Sequence, residues 1–106
     1  MIEVGEYVRL DNGKIGKVIA IEKGSIMLDI VGDRWIGLCC ISNHSKNIID
    51  LITKGDYVNG TGIYEMGQTE NKEKWIHSIN GFLYFNKDIE SIVTKEQMAS
   101  MEYKVV

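Results

Sequence analysis

The sequence predicts an all-β protein built as two small tandem β units with a short C-terminal helix. Three observations predict it. Short β-branched and aromatic runs are punctuated by glycine pairs, Asn12-Gly13, Gly32-Asp33 and Asn80-Gly81, in a chain with eleven glycines and no proline. "ITKGDYVNG" (residues 52–60) echoes "IEVGEYVRL" (residues 2–10), so the chain restarts at its midpoint. One segment alone near the C-terminus carries a helix-capping signature.

Each element follows in order. "GEYVRL" (5–10) reads as a first strand, and "DNGK" (11–14) supplies the residues of a tight hairpin, since Asn and Gly tolerate positive φ. "IGKVIAIE" (15–22) is a second strand. "IMLDIV" (26–31) alternates, with Ile26, Leu28 and Ile30 on one face. "WIGLCCI" (35–41) is apolar on both faces and reads as a strand central to a sandwich or covered by another subunit. The polar "SNHSKN" (42–47) suits a 3₁₀ turn, and "IIDLI" (48–52) a short closing strand.

The second half follows the same plan. "GDYVNG" (55–60) and "TGIYEMG" (61–67) match the first two strands, "QTENKE" (68–73) is an exposed loop, and "KWIHSI" and "FLYF" form a hairpin around Asn80-Gly81. "KDIESIVTK" (87–95) echoes "KNIIDLITK" (46–54). Thr94 with Gln97 makes a capping box ahead of the helix formers "KEQMASM" (95–101), and "EYKVV" (102–106) suits an edge strand. The units divide at 51/52. Units of about 50 residues bury little surface alone, so they are expected to pack on each other, on a second copy, or both.

The first half resembles the SH3-like barrels that include KOW modules. The resemblance rests on Gly5, Tyr7-Val8-Arg9, Gly13-Lys14, Gly16-Lys17-Val18 and the following "IMLD". It implies two tandem SH3-like small barrels, with Gly16 letting a strand bend and Val8, Val18 and Leu28 facing the interior. Such barrels bind peptides, RNA, small ligands or nothing. The whole chain also resembles a family of small uncharacterised proteins from phages and prophages of Firmicutes, through "MIEVGEYVR", "HSKNIIDLI" with "GDYVNG", and "IESIVTKEQ" with "MEYKV". That resemblance carries no site residues. It implies a protein that counters host defence, by binding a defence protein or by trapping the nucleotide signal that switches one on.

Composition limits the classes. Apolar residues at 44% and charged residues at 25% suit a folded domain rather than a disordered one. A net charge of −3 argues against bulk nucleic acid as partner, though a KOW-like nucleic-acid module stays open on the fold resemblance. No apolar run is long enough to span a bilayer and the N-terminus has no leader pattern, so the expected location is the cytoplasm of the host cell. Adjacent Cys39 and Cys40 make a strained disulfide and a poor metal pair, since structural zinc sites space their thiolates more widely, and they read as buried reduced thiols on a strand.

No phosphate loop, nucleophile elbow or zinc-protease motif occurs, and the expectation is a non-enzyme without cofactor or metal. His44-Ser45 with Asp50 is a weak nucleophile pattern, and His44 with His77 a weak metal pattern. A nucleotide trap needs cations for phosphates and flat rings for bases. The candidates are Arg9, Arg34 and Trp35, with Trp75 and His77 as further rings. Lys14 and Lys17, which flank the first hairpin, are further cations. Both tryptophans also suit a core or interface, Arg9 a pair with Glu6 or Asp29, and the two lysines solvated strand positions. A homo-oligomer is expected, because residues 35–41 offer more apolar surface than one small barrel buries. The rival to the nucleotide trap is an inhibitor that binds a host defence protein directly, through the acidic loop around Glu65, Glu70 and Glu73.

Overall fold

The computed structural model describes residues 1–30 and 35–101, and the chain divides into two compact units, Met1–Leu51 and Ile52–Val106. Unit 1 contains β1 (Tyr7–Leu10), β2 (Ile15–Glu22), β3 (Ser25–Leu28), β4 (Trp35–Gly37) and β5 (Ile41–Ser45). All its pairings are antiparallel, in the sheet order β4-β3-β2-β1-β5. Unit 2 contains β6 (Tyr57–Val58), β7 (Thr61–Gln68), β8 (Lys74–Ser78), β9 (Leu83–Phe85) and β10 (Ile92–Val93), in the order β10-β6-β7-β8-β9. Each unit is a four-strand meander whose fifth strand returns, after a 3₁₀ turn, to the free side of the first. That is the SH3-like strand order.

The echo at the midpoint holds hydrogen bond by hydrogen bond. Gly5 and Gly55 take φ of 95° and 96°, a left-handed conformation that glycine adopts without steric cost. Gly5 N–H donates to Val18 O and Gly55 N–H to Ile63 O; Val18 N–H donates back to Glu6 O and Ile63 N–H to Asp56 O. A bulge follows in each unit, between Val18 and Ala20 against β3 and between Ile63 and Glu65 against β8. A bulge bends the strand and tightens its twist, which curls a five-stranded sheet around its core.

The unit 1 core is Val8, Leu10, Val18, Ile26 and Leu28, with Ile2, Ile36 and Ile41 packed against it. Val8, Val18 and Leu28 face inward, as the SH3-like resemblance implies, whereas the alternation read for Ile26, Leu28 and Ile30 stops where β3 ends, and Ile30 is exposed. Gly16 sits opposite Val8, and a Cβ there would stand 3.0 Å from Ile30 Cγ1 and 3.1 Å from Leu28 Cβ. Unit 2 buries Ile52, Val58, Ile63 and Ile76, with Asp56, Ser78 and Thr94. Its helix, α1 (Lys95–Met101), starts at the expected capping box: Thr94 N–H donates to Gln97 Oε1 and Gln97 N–H to Thr94 Oγ1. Lys95 N–H is held by Asp56 Oδ1.

Four further expectations are corrected. Residues 35–41 are not one strand: β4 ends at Gly37, a 3₁₀ turn covers Leu38–Cys40, and β5 starts at Ile41. The cysteines therefore lie on that turn and are exposed, not buried on a strand. The polar Ser42–Ser45 stretch is strand and the apolar Ile48–Leu51 is a 3₁₀ turn, the reverse of the reading from polarity. Finally, residues 46–54 and 87–95 are not structural equivalents, because Val8 pairs with His44 and Val58 with Ile92. The expected edge strand at 102–106 lies outside the described residues.

Candidate functional site

The two units differ in the length of their first hairpin. In unit 1 the strands β1 and β2 are joined by four residues, Asp11–Lys14; in unit 2 the corresponding β6 and β7 are joined by Asn59 and Gly60 alone. The longer hairpin is braced. Leu10 N–H donates to Lys14 O, Lys14 N–H to Asn12 Oδ1, and Asp11 N–H to Cys40 O. The last bond ties the hairpin to the 3₁₀ turn that follows β4.

A cleft of about 390 Å³ opens between these two features, lined by Leu10, Asp11, Asn12, Lys14, Trp35, Ile36, Gly37 and Cys40. That volume is in the range of small-molecule sites. Leu10 and Ile36 make an apolar base, the 39%-exposed Trp35 offers a ring face, and Lys14, Asn12 and Asp11 supply a cation, an amide and a carboxylate along one wall. A hollow of about 550 Å³ in unit 2 is lined, among the described residues, by Lys95, Met98, Ala99 and Met101, all on one short helix, which bring no convergent polar groups to it.

Among the described residues weighed from sequence for a nucleotide, Trp35 and Lys14 line the cleft. Arg34 lies outside the described residues. Arg9 is 4% exposed, and its Nη1 donates to Leu51 O at 2.8 Å, anchoring the chain end of unit 1. Neither Glu6 nor Asp29 is its acceptor in that bond. Trp75 and His77 stand on β8 with Ile76 and Ser78 buried between and after them, so they share the outer face of unit 2. Phe85 and Leu83 are their cross-strand neighbours. The indole lies against Gly67, where any Cβ would overlap it. The His77 ring packs on Tyr64 with centroids 5.0 Å apart, and its Nδ1 is 2.8 Å from the tyrosine hydroxyl.

Lys14 stands out in the sequence as a cation beside the first hairpin, whereas Asp11, Asn12 and Cys40 do not stand out as site residues. The signal that finds them is the length mismatch between the two hairpins once the repeat is aligned on Gly5 and Gly55. Lys17 is held elsewhere, its Nζ 5.6 Å from the centre of the Tyr7 ring.

The other suggested constellations do not assemble. His44 Nδ1 donates to Glu6 Oε1 at 2.9 Å, whereas Ser45 Oγ donates to Asp50 Oδ2, so histidine and serine serve different partners. That histidine, with the Glu3 N–H, pulls the Glu6 carboxyl below its usual range, against the opposing effect of burial. Among the described residues no three His, Cys, Asp or Glu side chains converge for a metal. No helix among them is long and apolar enough to cross a membrane. No family model, curated protein or solved structure matches the chain.

Proposed function

We propose that this is a phage-encoded anti-defence protein that binds and sequesters a nucleotide-derived host immune signal, without catalysis, in the host cytoplasm. The observation that carries the reading is the unit 1 cleft, where an exposed indole stands with an ammonium group and two short polar side chains. A base stacks on the indole, Lys14 meets a phosphate, and Asp11 and Asn12 take sugar hydroxyls or exocyclic amines. Arg34, next to Trp35 in the sequence, is the proposed second cation. The resemblance to Firmicute phage proteins supplies the biological setting.

Self-association is part of the proposal. Ile19 and Tyr64 occupy the same bulge position in the two units, and Trp35 and Leu83 the same first position of the fourth strand; all four are exposed. Apolar residues repeated at matching outer positions suit contact with a second copy.

Native mass spectrometry of the purified chain, alone and with a panel of cyclic and ADP-ribose-type nucleotides, tests both statements. The expected result is an oligomer that gains one nucleotide mass per chain and releases it unchanged on heating. An unliganded monomer across the panel would overturn the reading. A second reading, direct inhibition of a host defence protein, is favoured by the exposed Ile79, Phe82 and Leu83 around the Asn80-Gly81 turn. It predicts that changes at this turn, not in the cleft, abolish activity against the host system.

A further inference from the structure

The turn between β4 and β5 carries a feature that the nucleotide reading does not use. Cys39 and Cys40 are both free and exposed, with their sulfurs 3.9 Å apart. A disulfide needs about 2.05 Å between sulfurs. Two thiolates on one tetrahedral ion, with metal–sulfur bonds of about 2.3 Å, stand about 3.8 Å apart. The two thiols are in hydrogen-bonding contact, and their spacing matches the bite of a tetrahedral chelate without rearrangement.

The repeat provides an internal control for whether the fold requires these thiols. The equivalent 3₁₀ turn of unit 2 is Asn86–Asp88, which puts Lys87 and Asp88 where unit 1 has Cys39 and Cys40. Asp88 braces the turn there, its Oδ2 accepting the Phe85 N–H. Neither thiol braces its own turn in that way. Among the described residues the two sulfurs contact each other, while the Cys40 backbone carbonyl holds the hairpin. The same turn thus forms without sulfur, and the cysteines are not there for packing.

We propose that Cys39 and Cys40 form a bidentate site for a thiophilic d¹⁰ cation of the zinc and cadmium type, at the rim of the unit 1 cleft. The two sulfurs occupy two corners of a tetrahedron, and water or an incoming donor occupies the other two. Two exposed thiolates with no further protein ligand among the described residues make an exchangeable site, not a structural one. Binding replaces the thiol protons, so up to two protons leave for each ion bound. Among the described residues the charged groups that line the cleft are Asp11 and Lys14. Because thiol protons are displaced, occupancy rises with pH. Because Cys40 also lines the cleft, the ion sits within reach of whatever the cleft holds.

The experiment is titration of the reduced full chain with cadmium, read by thiolate-to-cadmium ultraviolet absorption and by native mass spectrometry. The expected result is one ion per chain, with affinity falling about tenfold or more in Cys39→Ser and in Cys40→Ser and the absorption lost in the double variant. Circular dichroism checks the fold of each variant. Protection of both native thiols from maleimide by cadmium gives a reading that needs no variant. Absence of the absorption, unchanged affinity in either single variant, or one ion bridging two chains would each overturn the proposal. The nucleotide reading stands or falls separately, since no nucleotide enters the assay.

Discussion

Glu6 and Asp56 are the same residue of the repeat put to two uses. Each follows a left-handed glycine, and each carboxylate accepts the N–H of the residue three before it, Glu3 or Thr53. The second partner differs. Glu6 turns to His44 on β5, which closes the sheet of unit 1; Asp56 turns to Lys95 N–H and starts the helix of unit 2. In each unit a buried acid just ahead of the first strand thus holds a late element, the fifth strand of unit 1 or the helix of unit 2.

Acid should loosen unit 1 through Glu6. Its folded pKa lies below the ordinary carboxyl value because of the His44 and Glu3 hydrogen bonds. A depressed pKa contributes stability that is present above the unfolded pKa and lost as pH falls through the folded one. Glu6→Gln should therefore lower stability at neutral pH and flatten the fall that begins as pH drops through the ordinary carboxyl value of 4.5. Urea midpoints for both proteins from neutral pH to below that value check it, and parallel curves would count against the assignment.

Gly5→Ala and Gly55→Ala should each destabilise by about 1–2 kcal/mol, because a Cβ is strained at φ near 95° whatever space surrounds it. A Cβ on Gly5 meets nothing within 4 Å, so the loss there reports the backbone alone. Hydrogen exchange should place the loosening of Gly5→Ala at Val18 N–H, and that of Gly55→Ala at Ile63 N–H.

Arg9→Met should cost about 2–3 kcal/mol, since it leaves a buried carbonyl at Leu51 without its charged donor. Nucleotide affinity per folded molecule should not change. Chemical denaturation and binding measured on the same sample separate the two effects.

Gly67→Ala should displace the Trp75 indole, at a cost of about 1–2 kcal/mol. The emission of Trp75, measured in a Trp35→Phe background, should move while the far-ultraviolet dichroism stays the same. An unmoved emission would mean that the indole does not rest on the glycine.

Trp35→Ala should weaken nucleotide binding by about tenfold or more, the loss of one base–aromatic stack. Trp75→Phe, which keeps an aromatic ring on the outer face of unit 2, should leave affinity unchanged. Isothermal titration with the nucleotide found by mass spectrometry decides between them.

Local chemistry makes much of this fold legible in the sequence. Asn12-Gly13 and Asn80-Gly81 mark real hairpins, and Thr94 with Gln97 marks the helix start, because turns and caps are made by neighbouring residues. The stretch from Trp35 to Leu51 misleads because its polarity follows partners distant in sequence. His44 is in a strand because Val8 pairs with it, and Ser42 because its hydroxyl reaches Arg9 O. Ile49 and Leu51 are apolar because a 3₁₀ turn buries them, not because they alternate in a sheet. The cleft is harder to see. Trp35 announces itself by residue type and Lys14 by its charge, but Asp11 and Asn12 look like any hairpin until the shorter hairpin of unit 2 shows that the fold does not require them.

The return of the fifth strand to the first bears on how the chain emerges from the ribosome. Tyr7 pairs with Ser45, so β1 leaves the exit tunnel with one edge exposed and keeps it exposed until β5 has been made. Unit 1 is then complete by Leu51, before any strand of unit 2 exists to compete for that edge. The order matters because β1 and β6 begin with nearly the same words, "GEYV" and "GDYV". Two interchangeable first strands invite a swapped partner, and vectorial synthesis removes the choice by closing one sheet before the other is translated. Refolding from denaturant lacks that protection and should yield mispaired species that translation avoids.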